Sequence, residues 1–133
     1  MIKVAMTGVF VDDVARAQAF YTDVLGFETR LHRDLGGGAL FVTVGAREGA
    51  QPDLQLLLEP GDGPIAEPFR RALYEAGIPC IVFCVDDLRA EYRRLRALGV
   101  RFTHPPQQQG PVLAAVLDDS VGNLIQLTGP PAA

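Results

Sequence analysis

Two segments of the chain resemble each other, and this internal repeat limits the fold more than any other feature of the sequence. The segment FVDDV at residues 10–14 is matched by CVDDL at residues 84–88. A Leu-Gly pair follows each segment, at residues 25–26 and 98–99. Two copies are too few for a solenoid, so the repeat predicts a pseudo-symmetric domain made of two related modules.

Each copy has the pattern of a strand followed by a capped helix. Asp12 or Asp13 can accept a hydrogen bond from the first helical turn, apolar residues follow at helical spacing, and Gly26 suits the C-terminal cap. The predicted helices are residues 13–24 and 87–98. The predicted strands are residues 2–11, 27–34, 39–45, 54–59, 79–85, 100–104, 112–117 and 124–128. Pro105 and Pro106 are expected to end the sixth strand.

The order of these elements is β-α-β-β-β twice. The first module is predicted over residues 1–60, a linker helix over residues 61–77, and the second module over residues 78–133. A chain of 133 residues with 48% hydrophobic content can bury a core. It fits one domain or two small modules that share a core.

Composition argues against several partners. The net charge is −4 and no basic run stands out, so no nucleic-acid partner is expected. No apolar stretch is long enough for a bilayer and no signal peptide is apparent, which predicts a cytoplasmic protein without a membrane partner. Cys80 and Cys84, four residues apart on one strand, would be separated by roughly 13 Å and are expected to be free thiols.

Three motifs resemble the vicinal oxygen chelate superfamily, which includes glyoxalase I, bleomycin-resistance proteins and extradiol dioxygenases. They are the helix pattern of residues 11–27, the strand LQLLLEP at residues 54–60, and the closing segment of residues 119–127 with Gly122-Asn123. The resemblance covers nearly the whole chain. It implies an α+β fold in which two tandem β-α-β-β-β modules form a cup-shaped mixed sheet, with the helices outside. It also implies a homodimer, whose modules pair within one chain or between two.

The resemblance also implies where a metal ion would bind. Metal-dependent relatives use one ligand from each of four strands, usually His, Glu, His and Glu. Strand alignment places these positions at Met6, Gln55, Cys80 and Gln126. A thioether, a thiol and two neutral amides are a poor set for Zn, Ni, Fe or Mn. We therefore expect no bound metal and no other cofactor, and the sequence names no catalytic residue.

The expected function is metal-independent binding of a small, largely apolar organic molecule in the cup, as in antibiotic-sequestering relatives. The predicted ligand-binding residues are Met6, Phe10, Gln55, Leu57, Cys80 and Gln126. One alternative is a divergent metal-dependent lyase, isomerase or dioxygenase of the same superfamily. Another is a cup that is closed by its own side chains.

Other polar residues have two interpretations each. His32 and His104 follow Gly26 and Gly99 at similar distances, and exposed strand residues are favoured over a metal or acid–base pair. Glu59 is expected at the rim of the cup, where a solvated strand end is favoured over a carboxylate that orients a cationic ligand or acts as a base. The amides of Gln55 and Gln126 are expected to bond each other, a ligand or water.

Overall fold

A computed structural model describes residues 1–131 as an α+β protein with two four-stranded sheets, in agreement with the predicted class. The chain divides into two compact units, residues 1–69 and the residues from Arg70 onward. In each sheet the first strand is parallel to the last, and the other neighbours are antiparallel.

The first unit contains strands β1 (Met6–Val11), β2 (Glu28–Gly36), β3 (Ala39–Gly45) and β4 (Gln55–Pro60) and helix α1 (Val14–Ala19). The strand order is β1-β4-β3-β2. The buried residues of β1 and β4 alternate with partly exposed ones and lie on the face that α1 covers. The first unit therefore has its core between this sheet face and α1.

The second unit repeats this arrangement with strands β5 (Ile81–Cys84), β6 (Phe102–Gln109), β7 (Val112–Asp118) and β8 (Leu124–Gly129) and helix α3 (Leu88–Ala97). The strand order is β5-β8-β7-β6. Leu88 and Leu95 of α3 are buried. Helix α2 (Ala66–Glu75) lies within the predicted linker helix, contains the boundary between the units and has Pro68 in its first turn.

Asp13 caps α1, which settles the choice between the two aspartates. Its carboxylate accepts a hydrogen bond from the amide of Arg16 at 3.0 Å. The α-helix ends at Ala19 and continues as a π-helical turn, Phe20–Val24, whose Tyr21 is fully buried. The predicted helix over residues 13–24 is therefore one continuous segment with two hydrogen-bonding periods, which hydrophobic spacing does not distinguish.

Strand β6 runs through Pro105 and Pro106 to Gln109, so the predicted strand end at residue 104 is wrong. β6 is the outer strand of its sheet, and its pairing with β7 is irregular between His104 and Gln107. Proline is tolerated at such positions because no ladder hydrogen bond needs its missing amide. β2, the outer strand of the first sheet, is irregular at two places as well.

No helix within residues 1–131 has the length and apolar character needed to cross a membrane.

Candidate functional site

The face of the first sheet opposite α1 carries four of the predicted ligand-binding residues. Met6 lies directly opposite Gln55, and two residues further along Gly8 lies opposite Leu57. Phe10 follows on the same face of β1. Met6, Gln55, Leu57 and Phe10 keep part of their surface exposed, and Met6 has 41% of its surface accessible. These four side chains place one amide among hydrocarbon and thioether groups.

The amide of Gln55 is held by a residue that sequence reasoning did not identify. The hydroxyl of Thr43, a fully buried residue of β3, donates a hydrogen bond of 2.6 Å to Oε1 of Gln55. Among residues 1–131, Nε2 of Gln55 donates to no other residue. The side chain therefore has a fixed oxygen and a nitrogen that remains available for a ligand.

Glu59 occupies the same face at the end of β4, opposite Phe10. Its carboxylate lies over Gly8, so a Cβ at position 8 would collide with Oε2 and lie 3.0 Å from Cδ. The ring of Phe10 is in edge-to-face contact with the ring of Phe69, with centroids 6.2 Å apart. A carboxylate and two aromatic rings thus border one end of the apolar face.

Arg30 supports the loop between β3 and β4. Arg30 is the residue at which the pairing of β2 with β3 shifts register, between Thr29 and Leu31. The Arg30 guanidinium donates to five backbone carbonyls of the loop, those of Ala46, Ala50, Gln51, Pro52 and Leu54. Gly45 leaves the space for it, since a Cβ there would lie 2.6 Å from Nη2. Arg30 therefore fixes the segment that leads into Gln55.

The second sheet presents Gln126 on the face opposite α3. Its cross-strand partners are Val82 on β5 and Val116 on β7. Neither end of the Gln126 amide bonds another residue within the described part of the chain. Cys80 directly precedes β5, two residues before Val82, which is the partner of Gln126. The backbone amide of Cys80 donates to the carbonyl of Leu124 at 3.0 Å.

Burial, together with the nearby carboxylate of Asp119, raises the pKa of the Cys80 thiol to about 12. A thiol with so high a pKa is a poor nucleophile and a poor source of the thiolate that zinc requires. It follows that Cys80 is a neutral polar group at ordinary pH.

The four positions implied by the resemblance do not fit a divalent metal ion. Met6 offers a soft thioether, the oxygen of Gln55 already accepts from Thr43, and Cys80 resists deprotonation. Within residues 1–131, no group of three or more His, Cys, Asp or Glu side chains is placed to hold a metal. The donor set gives no basis for a metal-dependent reaction at these positions.

The turn before β8 is a structural feature, not a ligand set. Oδ1 of the fully buried Asp119 accepts from the amides of Val121 at 3.0 Å and Asn123 at 2.8 Å. Its Oδ2 accepts from the side-chain nitrogen of Asn123 at 3.0 Å. Gly122 has a φ of +100°, which glycine adopts most readily. This closed turn fixes the start of the strand that carries Gln126.

The two histidines are exposed, and they lie on different sheet faces. His32 lies opposite Val42 on the α1 side, where its Nδ1 is 3.0 Å from Oε1 of Gln18. His104 lies opposite Val116, on the face of Gln126. The strands β2 and β6 each skip one residue at the equivalent place, between Thr29 and Leu31 and between Phe102 and His104. His32 is six residues after Gly26 and His104 is five after Gly99, and this difference of one residue puts them on different faces.

A groove of about 540 Å³ lies at the carboxyl ends of β1 and β4, and three carboxylates line it. Asp13 is occupied as the cap of α1, and Asp12 is 3.4 Å from Arg16. The third is Asp62. Two of the three acidic groups therefore serve the local structure.

Thr43, Phe69 and Arg30 were not predicted as parts of the site. Each acts through a tertiary contact that no local pattern contains. Gly8 gave the one usable signal, because a glycine inside a strand indicates that another group approaches closely.

Comparison with known proteins identifies the family that this geometry belongs to. Two β-α-β-β-β units, each with a helix on one sheet face, form a glyoxalase-like protein. The model of the Glyoxalase/Bleomycin resistance protein/Dioxygenase superfamily matches residues 3–127, and the chain belongs to this superfamily. The resemblance stated from the sequence is thus confirmed.

Individual relatives cover nearly the whole chain. The uncharacterized protein YurT of Bacillus subtilis (strain 168) is 37% identical over 126 residues, which are 95% of this chain and 98% of that protein. The crystal structure of UcmS2 is 30% identical with a TM-score of 0.81 and covers 96% of this chain and 98% of its own. TnmS3, an antibiotic binding protein from Streptomyces sp. CB03234, has 22% identity and a TM-score of 0.73, with 98% of both chains covered. At that identity TnmS3 shows the shared fold alone.

Proposed function

We propose that this protein binds a small, largely apolar organic molecule without a metal ion. The contacts are assigned to six residues: Met6, Phe10, Gln55, Leu57, Cys80 and Gln126. The observation that carries the proposal is the face of the first sheet, where apolar side chains surround an amide that has one end fixed and the other available. Binding sites for small organic molecules combine an apolar lining with a few oriented polar groups in this way.

The side chains at the four implied metal-ligand positions suit the binding of an organic molecule better than a metal-dependent reaction. Gln126 adds a second amide, with both ends available, on the second sheet. Cys80 contributes a protonated thiol, which suits the apolar body of a ligand better than a metal ion. The description of TnmS3 as an antibiotic binding protein is compatible with this proposal, since the two proteins share the fold.

A neutral aromatic probe tests the proposal. The chain has no Trp and three Tyr, so the fluorescence of 2-naphthalenemethanol can be followed in a titration with little protein background. We expect saturable binding. Phe10→Ala and Leu57→Asp should each weaken it about tenfold, because each removes apolar contact area.

Leu35→Asp is the matched control, because Leu35 is an exposed residue of the β2–β3 hairpin. It should leave the affinity unchanged. Elemental analysis of the same preparation, purified without added metal, should give less than one Zn, Ni, Fe or Mn per chain. Absence of saturable binding, or a full complement of metal that survives dialysis, would contradict the proposal.

A further inference from the structure

The position of Glu59 requires a glycine for reasons of space. The carboxylate lies across β1 at Gly8, where any side chain would displace it. Gly8 is not among the glycines with positive φ, so its backbone conformation suits other residues too. The lack of a side chain at position 8 therefore serves the placement of the carboxylate on the sheet.

The side chain of Glu59 has no polar partner among residues 1–131. Its carboxylate makes no hydrogen bond or ion pair with any of them, although the residue is partly buried. Three basic groups of the first unit are engaged elsewhere: Lys3 with Asp53, Arg16 with Asp12, and Arg30 with loop carbonyls. The carboxylate thus lies against Gly8 and keeps its hydrogen-bonding capacity.

The surroundings of this carboxylate favour a cation with an apolar body. Phe10 lies opposite Glu59, and 56% of the surface of Phe69 is exposed beside Phe10. Aromatic rings attract cations and also pack against hydrocarbon. Residues 1–69 contain ten acidic and five basic residues, a net charge of −5, so the field of this unit also favours a cation.

We infer that Glu59 selects ligands in which a protonated amine is attached to an aromatic or aliphatic body. This inference rests on the function proposed above and specifies the class of its ligand. The ammonium group donates to the carboxylate of Glu59, and the apolar body lies along Phe10 and Leu57. One carboxylate is sufficient for an ammonium group, whereas a metal ion needs several ligands.

Two probes with the same ring system test this inference. 2-Naphthylmethylamine, as its hydrochloride, carries an ammonium group where 2-naphthalenemethanol carries a hydroxyl. We expect the amine to bind the native protein about tenfold more tightly than the alcohol at pH 7, since a hydrogen bond to a charged group has roughly that value. Glu59→Gln should remove this preference and leave the affinity for the alcohol unchanged.

Two further variants locate the effect. Gly8→Ala should reduce the preference for the amine by displacing the carboxylate, whereas Gly63→Ala, where a Cβ meets nothing within 4 Å, should not. Glu28→Gln makes the same change of charge on β2, two strands away from β4, and should preserve the preference. Glu59→Gln carries the test if Gly8→Ala fails to fold, because the amide has nearly the shape of the carboxylate.

Each other outcome has a defined meaning. Equal affinity of the native protein for the two probes overturns the inference and leaves the proposed function intact. A preference that persists in Glu59→Gln also overturns it, because another acidic group is then responsible. If neither probe binds, the proposed function fails and this inference fails with it.

Discussion

The hydroxyl of Thr43 donates a hydrogen bond of 2.6 Å to the amide oxygen of Gln55, and the second sheet has no equivalent. Thr43 lies opposite Leu57 in the first sheet, and Val116 lies opposite Gln126 at the matching place in the second. By strand register Gln126 corresponds to Leu57 and not to Gln55, and Val116 has no hydroxyl to donate, so only the amide of Gln55 has a fixed orientation. The two sheets therefore differ in the hydrogen-bonding groups on these faces.

Thr43→Val should lower the free energy of unfolding by about 1 kcal/mol. Valine keeps the volume of the side chain and removes the hydroxyl, and the oxygen of the partly exposed Gln55 can then turn towards water. Urea denaturation measures the change. Thr7→Val is the control, because Thr7 is an exposed residue of β1 with no hydrogen bond from its side chain to residues 1–131. Equal stability of the two variants would contradict a role for this bond.

Arg30→Met should expose the loop between β3 and β4 to proteolysis and lower the free energy of unfolding by about 2–3 kcal/mol. The substitution leaves several loop carbonyls without their donor. Gly45→Ala should have a similar effect, because its Cβ collides with the guanidinium.

Limited proteolysis and amide hydrogen exchange of residues 46–54 measure the effect of these changes. Arg33→Met, an exposed position on the same strand, is the control and should leave the protection of the loop unchanged. Native-like protection in Arg30→Met would show that the loop holds its conformation without the guanidinium.

Cys80 should make folding stability fall at high pH. The pKa of the folded thiol is raised to about 12, above its value in the unfolded chain. As the pH rises, the unfolded chain therefore loses this proton first. The free energy of unfolding is unaffected below the pKa of the unfolded thiol, and it decreases between that pKa and about pH 12. Denaturation of the Cys84→Ala variant should show this decrease.

The additional substitution Cys80→Ala should reduce the decrease. In the native protein at pH 8, iodoacetamide should modify the exposed Cys84 before Cys80. Rapid modification of Cys80 under native conditions would mean that its thiol is more accessible and more acidic than its burial implies.

The protein should form a homodimer. β1 and β5 are outer strands of their sheets, and each has an exposed apolar residue, Met6 on β1 and Val82 on β5. Exposed strand edges with apolar side chains favour association. Light scattering at micromolar concentration should give twice the chain mass of 14.3 kDa, and Val82→Asp should shift the mass towards that of one chain. A single-chain mass for the native protein would refute this expectation.

The sequence predicted the order of all eight strands and the two capped helices, because apolar spacing, aspartate caps and glycines are local signals. Strand parity also placed Met6, Phe10, Gln55 and Leu57 on one sheet face. The sequence did not predict that β6 continues through Pro105, because a strand tolerates proline only where it is the outer strand of its sheet, and the sequence does not show which strand is outermost.

The interactions that define the site depend on tertiary packing. The partner of Gln55 comes from β3, which no pattern of β4 indicates, and the carboxylate of Glu59 is placed by a glycine on β1. The two histidines differ by one residue in their distance from the preceding glycine, and since both strands skip a residue at the equivalent place, this difference puts them on different faces.

The prolines and irregular registers of the outer strands also bear on how the protein avoids aggregation. β2 and β6 are the outer strands at one side of each sheet, and neither presents a continuous row of backbone donors and acceptors to another chain. A misfolded or newly made copy therefore finds fewer templates on which to add a strand. Replacing both prolines of β6 would restore two backbone donors to this edge, and the expected cost is precipitation during folding instead of a loss of native stability.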